Sequence, residues 1–254
     1  MLKKRLIGII TVKDDLVVQS IGYKKYLPIG CPKIIAENLE RWGVDEIICL
    51  SIDRSKNDLG PDFNLIKSIA SIPLSTPFTY GGGIKNAEDA SEVIKLGVER
   101  IIVDNIFQND YKSIYEISEK IGSQALIISL PICLNNKQCM IFNYINKKFV
   151  DINTDIEEYL LSSYCSEIML IDKNNEGIKN GFQKNILDFF PIKNKKLILF
   201  GGLDNLEMIK YALSKNEVAA IAIGNSLNYK EHSIQKIKEH LKMDCLRESI
   251  FENS

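Results

Sequence analysis

The chain has 254 residues, 45% of them hydrophobic, and a formal net charge of -1 at pH 7. That balance gives no electrostatic basis for binding nucleic acid or a membrane surface, and no apolar run reaches the roughly 18 residues that a spanning helix needs. The N-terminal Met1-Leu2-Lys3-Lys4-Arg5 is basic and then apolar, like the start of a signal peptide. Residues 7–12 are too short for its apolar core, and Lys13-Asp14-Asp15 interrupts at once, so the segment reads as a first strand of a cytoplasmic protein. Further β-rich runs fall near 46–51, 76–80, 100–104, 125–130, 167–172, 197–200 and 219–224. Amphipathic helical patterns lie between them, for example at 32–42, 87–96 and 205–213. Strands alternating with helices imply a parallel sheet, and eight such units imply closure into a (β/α)8 TIM barrel of about 250 residues. The open doubly wound alternative usually offers a GxGxxG turn after its first strand, and none is present here. Between the fifth strand and its helix, residues 135–153 read as a β-hairpin on the C-terminal rim.

The six cysteines (Cys31, Cys49, Cys133, Cys139, Cys165, Cys245) are scattered with no CxxC, the pattern of free thiols in a reducing compartment. The two histidines, His232 and His240, are expected on the surface of a last helix, so neither a metal site nor a cofactor is expected.

An internal repeat organises the chain. Gly82-Gly83-Ile84-Lys85-Asn86-Ala87-Glu88 aligns with Gly201-Gly202-Leu203-Asp204-Asn205-Leu206-Glu207 at an offset of 119 residues. Residues 98–105 align with 218–225, and Glu46-Ile47 with Glu167-Ile168, at nearly the same offset. Two half-barrels, about 1–122 and 123–243, account for all three matches, with a tail over 244–254. The offset also makes Thr11 and Pro131 equivalent positions at the ends of strands one and five.

Several segments in this order and spacing carry a family likeness: Leu6-Ile7 leading into Val12-Lys13-Asp14, then Val44-Asp45-Glu46, Gly81-Gly82-Gly83-Ile84, Gly122-Ser123-Gln124 and Gly177-Ile178-Lys179-Asn180-Gly181. Over roughly residues 1–243 the chain resembles the cyclase subunit of imidazole glycerol phosphate synthase. That family is a TIM barrel which receives ammonia from a glutaminase partner. The resemblance implies two acid/base aspartates, and here their positions are Thr11 and Pro131. Threonine has no accessible pKa and proline no side-chain heteroatom, so no catalytic residue is assigned. Gln19 stands where the family has a mobile-loop lysine, Ser51 where it has an aspartate, and Ile171 and Ile178 where it has threonines. Asp53, Asp172 and Glu176 remain nearby as carboxylates for some other chemistry.

Two phosphate sites are also implied, one per half, at Gly82 and Gly83 and at Gly201, Gly202, Asn225 and Ser226. Glycine pairs between strand and helix let backbone N–H groups approach an anion. Asp104-Asn105 disfavours the first site, because a carboxylate repels phosphate, so an anion is expected near Gly202 alone. A purely structural account has the glycines serving tight turns. At the N-terminal mouth the resemblance maps an ammonia-gate ring onto Arg5, Glu46, Arg100 and Glu167, and a glutaminase-facing surface onto Glu99 and Gln124. Any barrel must satisfy its floor, so a structural role for the ring stays open. The implied function is a glutaminase-binding subunit that channels ammonia to a separate amidotransferase acceptor, in sugar amidination for surface polysaccharide, with cyclase chemistry lost. Two alternatives remain: a working cyclase subunit in histidine biosynthesis with Asp14 or Glu176 as substitute acid, and a stand-alone barrel binding a phosphorylated small molecule.

Overall fold

The computed structural model describes residues 3–104, 110–229 and 232–249, so Asn105 lies outside the described residues. Eight parallel strands close a barrel: β1 (Arg5–Lys13), β4 (Glu46–Ser51), β5 (Phe78–Gly81), β6 (Arg100–Val103), β7 (Leu126–Asn135), β10 (Glu167–Asp172), β11 (Lys196–Phe200) and β12 (Val218–Ile223). Strand β1 pairs with both β12 and β4, and β10 with both β7 and β11, which closes the cylinder. The eight strands read from the sequence match these to within two residues at either end, except that β7 runs on to Asn135. Its extension pairs antiparallel with β8 (Gln138–Asn143), which pairs with β9 (Lys148–Asp151), the expected C-terminal-rim hairpin. A second hairpin, not read from the sequence, follows β1: β2 (Leu16–Ile21) and β3 (Lys25–Gly30). Gly22 and Tyr23 at its turn both have positive φ, as the mirror-image turns of twisted hairpins require.

Helices α1 (Pro32–Arg41), α2 (Phe63–Ala70), α3 (Ala87–Lys95), α4 (Tyr111–Ile121), α5 (Thr154–Leu161), α6 (Asn185–Phe189), α7 (Leu206–Leu213) and α8 (Ser233–Leu241) surround the strands. Five of these eight, α2, α3, α4, α5 and α7, start at side-chain caps. Asn86 accepts the Asp89 amide at 2.8 Å, and its repeat equivalent Asn205 accepts the Glu207 amide at 2.8 Å. None of the helices among the described residues is long and apolar enough to cross a membrane. All six cysteines are unpaired thiols, and Cys49, Cys133, Cys139 and Cys165 are buried. His240 is exposed on α8 as expected. His232 is not on the helix surface: it precedes the first turn with a left-handed backbone and is half-buried.

Alternation along each strand divides the core in two. Leu6, Ile10, Ile47 and Ile128 face the helices, whereas Ile7, Ile9, Ile48, Ile127 and Met169 fill the lumen. The glycines after β5 and β11 serve close strand packing. A Cβ on Gly82 would lie 2.3 Å from the Ser51 carbonyl oxygen, and one on Gly201 would lie 2.7 Å from that of Asp172.

The last helix is fastened to the N-terminal face by a buried ion pair. Lys238 Nζ donates to Asp45 Oδ1 at 2.8 Å and to the Gly43 carbonyl at 3.1 Å, while the Leu6 amide donates to Asp45 Oδ2 at 2.7 Å. Asp45→Ala leaves the Lys238 ammonium buried without its counter-charge. The expected loss is about 3–5 kcal/mol of unfolding free energy in urea denaturation; a loss below about 1 kcal/mol, the range of exposed pairs, would show that the pair is solvated.

Candidate functional site

The two ends of the barrel are built differently. At the N-terminal end the inward positions one step below the apolar layers carry Arg5, Glu46, Arg100 and Glu167, and the four side chains meet. Arg5 Nη2 donates to both Glu167 carboxylate oxygens at 2.7 Å, and Arg5 Nη1 lies 3.3 Å from Glu46 Oε2. Arg100 Nη2 donates to Glu167 Oε2 at 2.6 Å and to Ser166 Oγ at 2.8 Å, and its Nη1 lies 3.5 Å from Glu46 Oε1. Thr79 Oγ1 donates to Glu46 Oε1 at 2.7 Å. Each cation therefore bridges both anions, and the ring closes the barrel floor. Only 2% of the Glu46 side chain and 11% of that of Glu167 are exposed. Burial pushes the Glu167 carboxyl up, but the charges and hydrogen bonds of Arg5 and Arg100 outweigh it and hold the group below the usual carboxylate range. Burial likewise opposes the charge on Arg5, and Glu167 and Glu46 more than restore it.

Glu99 and Gln124 are exposed on this same face, Glu99 just before β6 and Gln124 in the 3-10 turn before β7. Beside Glu99 is an apolar notch of about 130 Å³ formed by Ile72, Leu74, Phe78 and Leu96.

Above the ring the lumen is apolar. Thr11 continues the inward row Ile7, Ile9, Thr11, and Pro131 continues Ile127, Ser129, Pro131. Thr11 is 7% exposed and registers with Leu50; Pro131 registers with Ile171. The C-terminal end opens into a cavity of about 750 Å³. Its floor includes Leu50, Ser51, Ile102, Ser129, Pro131 and Ile171. Its walls come from both hairpin tips, with Tyr23, Lys24 and Tyr26 from one and Phe142, Tyr144 and Lys147 from the other. Gly82, Gly83, Lys85 and Asp104 line it as well. Burial pushes the phenols of Tyr23 and Tyr144 well up, and the nearby charge of Asp104 adds to both shifts. Lys173 stacks over the Phe142 ring at 4.2 Å.

The first-half glycines thus border the cavity, although the Gly83 amide is taken by Ser55 Oγ at 3.0 Å. The second-half residues do not border it. Both second glycines are packed by backbone: an added Cβ would meet the Phe182 nitrogen at 2.8 Å and the Asn175 oxygen at 2.9 Å at Gly202, and the Gly60 oxygen at 2.1 Å at Gly83. Asn225 Nδ2 donates to the Ser20 carbonyl at 2.6 Å, and Ser226 is half-buried beside it.

The remaining carboxylates organise loops. Asp172, 2% exposed, accepts Asn175 Nδ2 at 2.9 and 3.0 Å and the Gln183 amide at 2.9 Å. Burial nevertheless keeps its carboxyl above the usual range. Asp53 accepts the Asp14 amide at 3.0 Å, and Asp14 itself pairs with Lys13 on the exterior. Glu176 is 2% exposed and holds the first hairpin. Of the other departures from the family pattern, Ser51 and Ile171 line the cavity, whereas Ile178 is 44% exposed and away from it. Tyr23 and Tyr144 were missed from the sequence. The signal was present, since they stand 121 residues apart, at nearly the same offset as the glycine pairs.

Comparison with known proteins agrees with this architecture. Imidazole glycerol phosphate synthase subunit hisF2 of Vibrio vulnificus is 29% identical over 246 residues, covering 95% of this chain and 89% of the relative. The HisF subunits of a Thermotoga species and of Thermococcus onnurineus are each 28% identical, covering 95% of this chain and 96% of each relative. The model of the histidine biosynthesis protein family matches residues 5–233, and the chain belongs to that family.

Proposed function

We propose that this chain is the barrel subunit of a glutamine-dependent amidotransferase. In this reading a glutaminase docks on the N-terminal face, and ammonia passes the charged ring, rises through the apolar lumen and leaves at the C-terminal face. There a separate acceptor enzyme uses it. Sugar amidination for surface polysaccharide is the pathway we favour, on the strength of the family resemblance alone.

The observation that carries the reading is the contrast between the two ends. The floor holds a closed, fully paired ring of Arg5, Glu46, Arg100 and Glu167 with exposed Glu99 and Gln124 beside it. The opposite end carries Thr11 and Pro131 at the inward positions where a proton-transferring pair is needed. Neutral ammonia suits an apolar lumen, and a ring of paired charges at its foot excludes no small neutral molecule once one pair parts. The word subunit in the relatives' names fits a chain that works in an assembly.

Those same names support a second reading, a working cyclase subunit in histidine biosynthesis. It needs a substitute acid. Asp14 is 74% exposed at the turn after β1, and Glu176 is buried beneath the first hairpin; neither lines the cavity.

Two measurements test the proposal. Supplied with ammonia and the ribonucleotide precursor, the purified chain should form imidazole glycerol phosphate only at background rate, since each missing acid/base group is worth about 10²–10⁴ in rate. A rate within about tenfold of a functional cyclase, less than the loss of even one such group, would favour the second reading. Separately, size-exclusion chromatography with the glutaminase encoded beside this gene should show a complex. Glu167→Ala or Arg5→Ala should weaken it by about 2–5 kcal/mol, the range for truncating one partner of a buried charge pair at an interface, or uncouple glutamine hydrolysis from ammonia delivery. Failure to associate with any glutaminase of the same genome would leave the ring as a floor and nothing more.

A further inference from the structure

The loops that lead into the eight strands carry their cations on one side of the N-terminal face only. Residues 42–45, 71–77, 96–99, 122–125 and 162–166, ahead of β4, β5, β6, β7 and β10, contain no lysine or arginine. Their carboxylates are Asp45, already paired with Lys238, and the exposed Glu99. Residues 3–4, 190–196 and 214–217 lead into β1, β11 and β12. They carry Lys3, Lys4, Lys193, Lys195, Lys196 and Lys215 against one carboxylate, Glu217. These three strands are neighbours in the barrel, so the lysines form one continuous arc. The C-terminal tail beside Lys4 adds two cations, Lys242 and Arg247, and two carboxylates, Asp244 and Glu248, which leaves the balance unchanged.

Backbone carbonyls hold most of these ammonium groups. Lys4 Nζ donates to the Leu213 and Lys215 carbonyls at 2.6 Å each, and Lys196 Nζ to that of Asn216 at 2.9 Å. Lys193 Nζ donates to Leu187 and Asp188 at 2.9 and 3.1 Å, and Lys195 Nζ to Ser162 at 2.5 Å. Lys3 donates to the Asp244 carbonyl. None of the salt bridges among the described residues involves the arc. A carbonyl fixes an ammonium without cancelling its charge, and each ammonium has three N–H groups, so donors are left over for an outside acceptor. Side chains held in place beforehand also lose less rotamer freedom when something docks on them. Burial and the neighbouring Lys196 charge both push Lys4 below the usual lysine range. The fold therefore crowds cations here against an electrostatic penalty.

The other side of the same face fits a protein and not a polyanion. Glu99 repels a phosphate backbone or an anionic membrane. The notch of about 130 Å³ between Ile72, Leu74, Phe78 and Leu96 suits an apolar side chain.

We propose that the lysine arc meets a carboxylate-rich edge of the partner protein on the N-terminal face, and that this one-sided charge sets the partner's orientation about the barrel axis. The proposal rests on the reading that a glutaminase docks on this face.

The test is the association rate of the full chain with the glutaminase encoded beside this gene, followed by surface plasmon resonance at low and high salt. Opposite charges across an interface steer encounter, and salt screens them. We expect Lys193→Glu combined with Lys196→Glu to slow low-salt association by about tenfold or more, the lower end of electrostatic steering, and to flatten its salt dependence. Lys193→Gln combined with Lys196→Gln removes the charge but keeps a donor for the carbonyls. It should give a smaller loss in the same direction, and it serves if the glutamate pair does not fold. Lys148→Glu combined with Lys179→Glu makes the same charge change on exposed residues at the opposite end, and should leave the rate unchanged. If a complex forms but both glutamate pairs slow it equally, or if salt does not alter the wild-type rate, the arc is not the docking edge and the glutaminase reading survives. If no glutaminase binds, that reading falls and takes the arc with it. Loss of binding to RNA or to phosphatidylserine vesicles in the Lys193 and Lys196 variants, with glutaminase association unchanged, overturns the choice of a protein partner.

Discussion

Closing eight parallel strands into a cylinder forces every second side chain of each strand into one shared lumen. Those side chains cannot be chosen strand by strand, because each layer must fill the same cross-section. In this chain the constraint reads off β1 alone: Arg5 at the floor, Ile7 and Ile9 in the middle, Thr11 at the top. The other strands obey it in step. Glu46 lies below Ile48 and Leu50, Arg100 below Ile102, and Glu167 below Met169 and Ile171. The molecule is thus one column of layers, ionic at the foot and mostly apolar above it, with the hydroxyls of Ser129 and Thr11 in its upper rows.

The ionic foot is the layer with the least freedom. A buried charge without a partner is heavily penalised, and a buried pair only breaks even when the geometry is good. Here each carboxylate lies between two guanidinium groups, and hydroxyls of Thr79 and Ser166 complete the shell. Removing one member strands two others. The residues at the foot of a barrel usually serve stability, and this ring does so whatever else it does. A conduit role demands more, namely that the ring part transiently. In that role Thr79 and Ser166 would each keep one ring member hydrogen-bonded while an ion pair opens.

How much of this was legible in the sequence follows from which interactions are local. Strand positions were readable because apolar runs between turn signals mark buried parallel strands, and the helix starts because Asn86 and Asn205 cap their own first turns. The four ring residues and the positions of Thr11 and Pro131 came from family resemblance, and period-two alternation then put them in the lumen. The first hairpin was not legible. Its register depends on a Gly22-Tyr23 turn whose amides are satisfied by Glu176, more than 150 residues away, and no local pattern announces such a partner. The location of the open cavity was not legible either, because its lining joins residues from both halves, Ser55 and Gly83 with Pro131 and Tyr144.

Strands β1 and β7 are each followed by a hairpin, with Tyr23 and Tyr144 at the two tips, and both tips line the same cavity, yet the two turns are built differently. The difference lies in how each turn satisfies its backbone amides, which must find acceptors when removed from water. In the second hairpin, Asn143 accepts the Ile145 and Asn146 amides at 3.0 and 3.2 Å, so the turn is complete within itself, while the Tyr144 hydroxyl reaches Ser55. In the first, Gly22 and Tyr23 have no such neighbour and take both acceptors from Glu176. A local asparagine in one hairpin and a distant glutamate in the other thus anchor two unlike turns at equivalent positions of the repeat, and the two together wall the cavity.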